Sequence, residues 1–312
     1  MTTCLFTHPA CLDHDPSPGH PESPARLRRV LEVLDAPEFA ALVRREAPRA
    51  TVEQIAAMHT QRHIERVFAA IPAAGYARID ADTIASPGSG EAALRAAGAL
   101  VDAVDAVMAG AAGNAFCAVR PPGHHAEAEQ SMGFCLFNNV AIGAAHACNA
   151  HGLGRVAVMD FDVHHGNGTQ AMFWDRPGML YASTHQMPLY PGTGSAAERG
   201  ASGNIVNAPL PPGAGSDAFR AAMSAIILPA IRQFEPEFLF ISAGFDAHGR
   251  DPLAQLQFTT GDYGWATDKL CELAAGCCAG RVVSTLEGGY DLDALGDAVA
   301  AHVQALMAGA GG

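Results

Sequence analysis

Metal-binding residue types recur at one spacing in Asp160-Phe161-Asp162-Val163-His164. On an extended segment, residues i, i+2 and i+4 share a face. Two carboxylates and an imidazole would then point one way, with Phe161 and Val163 opposite. Burying such a set unpaired is costly, and a cation removes the cost. An isolated D-x-D-x-H could equally be a hydrogen-bonded structural network. Asp246 ends a separate apolar run and favours the metal reading. Asp162, His164 and Asp246 supply three N/O ligands and leave a fourth position open, as in catalytic rather than structural zinc sites. Zinc lowers the pKa of its water to about 7 and polarises a carbonyl oxygen, and amide hydrolysis needs both effects.

His124 and His125 follow Arg120-Pro121-Pro122-Gly123, a constrained loop in which glycine permits close approach. A His pair alone is as readily structural. As acid/base groups, each imidazole needs an orienting partner for its other nitrogen. Asp160 is free for one and Asn167 could serve the other. A carboxylate raises an imidazole's basicity and an amide does not, so the two histidines could differ in role. Tyr290, after Gly288-Gly289, is either a surface-packed tyrosine or a phenol donating to a developing oxyanion.

These clusters must be delivered by a scaffold. Short apolar runs alternate with longer helical patterns along 312 residues. Strands are predicted at Thr2–Thr7, Ala115–Val119, Val156–Phe161, Met179–Ser183, Asn204–Leu210, Phe238–Ser242 and Arg281–Leu286. Near-continuous apolarity marks strands covered on both faces. Helices are predicted at Glu22–Leu34, Gly90–Met108, Phe137–Ala150, Asp217–Gln233 (capped by Ser216), Gly261–Ala275 and Leu292–Met307, with a frayed tail at Ala308–Gly312. The alternation implies one α/β domain over residues 1–312: a mostly parallel central sheet with helices on both faces. Five polar clusters follow strand ends, the edge where open α/β sheets bind ligands.

Composition narrows the partners. A net charge of −13 argues against a nucleic-acid backbone and suits cationic substrates. No apolar stretch is long enough to span a membrane, and Met1–Asp15 does not read as a signal peptide. Eight cysteines form no C-x-x-C pair, which suits reduced thiols in the cytoplasm.

Taken together, the motifs G-H-P-E-S-P-x-R-L, R-P-P-G-H-H-A, G-F-C-x-F-N-N, D-F-D-V-H-H-G-N-G-T-Q, P-G-T-G, S-A-G-F-D-A and E-G-G-Y resemble those of the histone deacetylase / acetylpolyamine amidohydrolase family. The likeness runs from His8 to about His302 and is closest to the class II-like and bacterial branch. It implies an arginase-like three-layer fold and zinc-dependent removal of acetyl or related acyl groups from lysine side chains or similar amines. By resemblance, one zinc sits on Asp162, His164 and Asp246. His124 and His125 are the tandem histidines, partnered by Asp160 and Asn167, with His125 the general base and acid. Tyr290 polarises the substrate carbonyl. Gly133, Phe134 and Tyr190 line a narrow channel, Tyr190 standing where relatives often carry Phe. The resemblance also implies a structural potassium near Asp160, Asp162, His164, Ser183 and Thr184. A second monovalent site would use carbonyls near Phe173, Arg176, Met179 and Asn204. Asp82 would hold substrate backbone, and Arg26 either lines a product-release path or sits on the polar face of a helix. Leu253 stands where polyamine-selective relatives carry an acid, which favours acyl-lysine peptides over acetylpolyamines.

Two rivals remain at this level. A binuclear manganese ureohydrolase needs more carboxylates than His165-Gly166-Asn167 and Ala247-His248-Gly249 supply. A non-catalytic module binding acylated ligands would be expected to lack a ligand or the tyrosine. Oligomeric state stays open, a homo-oligomer included.

Overall fold

The computed structural model describes residues 2–310. In chain order its first half comprises β1 (Thr3–Thr7), α1 (Pro24–Leu34), β2 (Val43–Glu46), α2 (Val52–Ala56), α3 (Gln61–Ala70), β3 (Ala77–Arg78), β4 (Ile84–Ala85), α4 (Ser89–Met108) and β5 (Asn114–Cys117). There follow α5 (Asn139–His151), β6 (Val156–Asp160), α6 (Asn167–Phe173), β7 (Met179–Gln186), β8 (Ile205–Leu210), α7 (Ser216–Ala222), α8 (Leu228–Phe234), β9 (Phe238–Ala243), α9 (Thr260–Cys277), β10 (Val282–Leu286) and α10 (Leu292–Gly309).

Eight strands form one parallel sheet in the order β2-β1-β5-β10-β9-β6-β7-β8, while β3 and β4 pair as a separate antiparallel hairpin. Helices cover both faces, with α4 packed on α5 and α10 packed on both α1 and α9. Every residue of β6, β7, β9 and β10 is buried. Each buried Val, Leu, Ile or Phe contributes about 1.5–3 kcal/mol, so these strands form a rigid base for the loops at their ends. All seven predicted strands are present, and β5, β10, β9 and β6, which carry most of the polar clusters, are neighbours.

Several expectations need correction. β2 has the sequence Val-Arg-Arg-Glu and is exposed throughout, so an edge strand shows no apolar run. The short helices α2, α3 and α6 and the β3–β4 hairpin also escaped the pattern. Ser216 is the first residue of α7 rather than its cap; Gly215 is the cap, and the Ser216 hydroxyl donates to Asp262 instead (2.6 Å). The predicted helix at Asp217–Gln233 is interrupted by a π turn at Met223–Ile227, just before Pro229, which has no N–H to donate. Ser183-Thr184-His185 lies inside β7, which continues to Gln186. Ala308 and Gly309 belong to α10 and Ala310 is buried, so this part of the tail is docked rather than frayed. Gly311 and Gly312 lie outside the described residues.

Candidate active site

β6 ends at Asp160, so Asp162 and His164 do not continue an extended strand. The three side chains are set by turns. Asp160 Oδ1 accepts from the Asp162 N–H (3.1 Å), and Asp162 Oδ1 accepts from the His164 N–H (2.9 Å). Each carboxylate thus fixes the backbone two residues on, a common role for aspartate in turns. Beyond β9, Asp246 Oδ1 accepts from the Val163 N–H (2.8 Å). Beyond β10, the Gly288 N–H donates to Asp162 Oδ2 (2.8 Å). Three strand ends therefore hold one another through backbone donors to two aspartates.

Asp162, His164 and Asp246 each present one donor atom, and the three lie within 4.8 Å of one another. His164 Nδ1 is 3.1 Å from Asp162 Oδ1 and 3.1 Å from Asp246 Oδ2. The titration behaviour shows what this arrangement requires. Burial pulls His164 down, but its hydrogen bonds to Asp162 and Asp246 outweigh that and hold it up at about 10. Asp246 is pushed up to about 7 by burial and by the charge of Asp162. Two buried carboxylates thus draw a positive charge into their midst, and a divalent cation meets that demand with the donor set zinc prefers. The residues fit a metal. His248 is turned away, with Nδ1 accepting from the Arg250 N–H (3.2 Å). Among the described residues the ligand cluster here has three members, too few for two ions.

His124 and His125 stand beside this cluster with ring centroids 4.0 Å apart. His124 Nδ1 meets Asp160 Oδ2 at 2.9 Å, and His125 Nδ1 meets Asn167 Oδ1 at 2.8 Å. The Asn167 amide nitrogen donates to Glu127 Oε1 (2.8 Å), so its oxygen is the atom left for His125. His125 Nδ1 must therefore donate, which leaves Nε2 with the lone pair. Burial lowers both imidazoles. For His124 the charges of Asp160 and then Asp162 more than compensate, raising it to about 10. For His125 the neighbouring positive His124 and His164 add to burial and keep it well below its ordinary value.

These groups lie at the base of a cleft of about 220 Å³. Its walls include Gly133, Phe134, Leu189, Tyr190, Leu253 and Tyr290. Phe134 and Tyr290 rings stand edge to face at 6.0 Å, and Tyr190 lies at 5.1 Å from His125 with 38% of its surface exposed. Burial pushes the Tyr290 phenol well above its ordinary range, only partly offset by Arg26 over its ring, so it keeps its proton as a donor. Asp82 lines the cleft, but its Oδ1 accepts from the Gly133 N–H (3.1 Å) and the Thr83 hydroxyl (3.0 Å), holding the channel wall.

Sequence reasoning missed three supports. Glu287 accepts from the Gly123 and His124 N–H groups (2.7 and 3.2 Å) and from the Ser242 hydroxyl (2.9 Å). Asp251 Oδ2 accepts from the Tyr290 N–H (2.7 Å) while Oδ1 accepts from the Leu253 N–H (3.0 Å). Glu22 is wholly buried between Arg26 and Arg120. Glu22 and Glu287 lay inside quoted motifs, and Asp251 was noticed only as the neighbour of Leu253. Arg26 is not on a polar face: it is fully buried and donates to the carbonyls of Gly289 and Glu287 (2.5 Å each).

The residues expected around monovalent ions are brought together in two places. Asp160 and Ser183 are register partners on β6 and β7, and the next residue, Thr184, has a buried hydroxyl without a partner among the described residues. At the other place, Phe173, Arg176 and Met179 direct their carbonyls at one point. Asn204 Nδ2 stands there, donating at 2.8, 3.2 and 2.9 Å respectively. Three carbonyls of the expected second site therefore converge on one point.

The profile of the histone deacetylase domain matches residues 20–306. The chain belongs to the histone deacetylase family. It is similar to a "histone deacetylase-like amidohydrolase" of Pseudomonas aeruginosa, with 42% identity over 87% of this chain and 73% of the relative. It is 39% identical to "histone deacetylase 14, chloroplastic" of Arabidopsis thaliana, over 97% of this chain and 76% of that one. A "probable deacetylase" of Archaeoglobus fulgidus is 38% identical over 94% and 82% of the two chains. The crystal structure of the HDA15 HD domain superposes with a TM-score of 0.93 at 35% identity, covering 98% of this chain and 88% of that one. This deacetylase-family fold is the arginase-like three-layer architecture that the motifs implied.

Proposed function

We propose that this family member is a zinc-dependent hydrolase that removes acetyl or related acyl groups from N-acyl-lysine side chains or similar amines. The observation that carries the reading is the meeting of Asp162, His164 and Asp246 at the base of a narrow cleft that His124, His125 and Tyr290 also face. Asp162, His164 and Asp246 would hold the zinc. When bound, zinc makes water acidic and polarises a carbonyl oxygen.

The chain's own residues do the rest. His125 Nε2 accepts a proton from the attacking water, and the Asn167 carbonyl keeps the imidazole in the tautomer that allows it. The same nitrogen then returns the proton to the leaving amine. Asp160 holds His124 in the charged form beside the developing negative charge. The order of the two histidines survives a bound cation, whose charge lowers both, because the Asp160 carboxylate faces only His124. The Tyr290 phenol donates to the oxygen on which negative charge develops. Phe134 and Tyr190 exclude water along the acyl-bearing stem, and Asp82 supports that wall.

Leu253 lines the cleft and offers no charge to a distal ammonium, which favours acyl-lysine peptides over acetylpolyamines. One potassium beside Asp160, Ser183 and Thr184 belongs to the proposal. A second, where the carbonyls of Phe173, Arg176 and Met179 converge beside Asn204, belongs to it as well, since the two hydrogens of one amide cannot fully serve three carbonyls. Eight free cysteines fit a reducing, cytoplasmic setting.

The test is hydrolysis of a panel of acyl-lysine peptides and acetylpolyamines by zinc-loaded wild type, Tyr290→Phe and His125→Ala. Loss of one oxyanion donor costs about 10²–10³ in kcat, and that loss is expected for Tyr290→Phe. Near-wild-type turnover in both variants would overturn the roles. Hydroxamate binding without hydrolysis of any substrate would mark a binding module instead.

A further inference from the structure

The cleft does not use every metal-capable cluster in the molecule. Near the last turn of α4, Asp105 Oδ1 receives two imidazoles from α5: His146 Nε2 at 2.7 Å and His151 Nε2 at 2.7 Å. The donor atoms of all three lie within 4.8 Å of one another. α4 leads into β5 and α5 leads into β6, so both helix ends lie at the edge where the strands begin. The candidate active site lies at the other edge, where they finish.

We propose that Asp105, His146 and His151 form a second divalent-ion site, for zinc-class transition metals, that ties the end of α4 to the end of α5. Two imidazoles and one carboxylate select zinc, nickel, cobalt or copper over magnesium and calcium, which prefer all-oxygen sites. Both helices finish here, and helix C-termini carry partial negative charge that favours a cation. Two nitrogens converging on one oxygen place three donors around a common point. Tetrahedral zinc with bonds of about 2.0–2.1 Å needs its ligands about 3.3 Å apart, so each nitrogen must retreat from the oxygen by about 0.6 Å. Side-chain rotation allows this, because Asp105, His146 and His151 are 47%, 13% and 24% exposed. The same exposure leaves the remaining coordination positions to water. His146 and His151 rings stand nearly perpendicular with centroids 5.6 Å apart, which keeps both Nε2 atoms turned toward Asp105 rather than stacked.

The experiment counts zinc by equilibrium dialysis, in magnesium-containing buffer, on wild type, Asp105→Asn, His146→Gln and His151→Gln. Wild type is expected to bind one tight equivalent and one weaker equivalent, and each variant to bind the tight one only. Without added zinc all four are expected to melt cooperatively, the variants only a few degrees below wild type because they lose part of the Asp105–imidazole contacts, which shows that they fold. Added zinc should raise the melting temperature of all four through the tight site, and by more in wild type than in any variant. Wild type binding a single equivalent, or variants binding as many as wild type, overturns the proposal. An Asp162→Asn variant separates the two sites: it is expected to lose the tight equivalent and keep the weaker one. If Asp162→Asn changes nothing while His151→Gln removes an equivalent, the reading of the cleft fails and the α4–α5 site stands.

Discussion

Gly288→Ala adds one methyl group and no charge, yet it aims at the centre of the proposed metal site. A Cβ at Gly288 would lie 2.2 Å from Asp246 Oδ2 and 2.6 Å from Asp162 Oδ2, whereas ordinary contact begins at 3.4 Å. The two carboxylates must give way by 3.4 − 2.2 = 1.2 Å and 3.4 − 2.6 = 0.8 Å. Gly288 is not among the glycines with positive φ, so alanine meets no left-handed backbone penalty, and the N–H that holds Asp162 is retained. Metal–ligand distances tolerate about 0.2 Å. Losing an outer support of a metal site typically costs about 10–100-fold in affinity, and shifting two ligands belongs at the upper end, about 2.7 kcal/mol. Chelator competition on the wild type and the variant measures it, with circular dichroism reporting the fold. Zinc affinity within threefold of wild type would refute the reasoning.

Other outcomes follow from the same geometry. Asp251 grips the Tyr290 and Leu253 backbones but faces no substrate, so Asp251→Ala is expected to lower kcat by about tenfold, comparable to losing a positioning contact, with zinc content unchanged; equal kcat would show that the tether is idle. Leu253→Glu is expected to shift preference toward acetylpolyamines by about fivefold, the worth of an exposed ion pair of about 1 kcal/mol; an unchanged kcat/KM ratio for the two substrate classes would place Leu253 away from bound substrate. Burial, joined for His59 by the charge of His63, holds His59 and His302 down at about 3. Their folded pKa values lie below the unfolded value, so only the unfolded chain takes up protons as pH falls below about 6.5. Stability is full above that pH and falls toward pH 3, by roughly 1 kcal/mol per histidine at pH 5.5. Urea melts at pH 7.5 and 5.5 measure this, and equal stability at both would contradict it.

Particular residues show why some of this was legible in the sequence. β6, β7, β9 and β10 are buried on both faces, so their composition announces them, and the polar residues that interrupt them mark the working edge. α9 could be read from its apolar spacing, although its true first residue, Thr260, follows the capping box of Thr259 and Asp262. β2 was illegible because an exposed edge strand needs no apolar side chain, and α6 because seven residues hold under two turns of pattern. At the site, Asp160, Asp162 and His164 were found through a strand alternation that does not exist there. The spacing works because each aspartate accepts from the N–H two residues on. Glu287 and Asp251 act on backbone N–H groups of residues distant in sequence, Gly123 and Tyr290, and only the folded chain reveals such pairs.

Anomalous diffraction at the zinc absorption edge, from crystals of the zinc-loaded protein, tests the central claim most directly. The account predicts a strong peak about 2.0–2.2 Å from one atom each of Asp162, His164 and Asp246, with an open face toward His125 and Tyr290. Density for zinc elsewhere, with no peak between those three side chains, would contradict it.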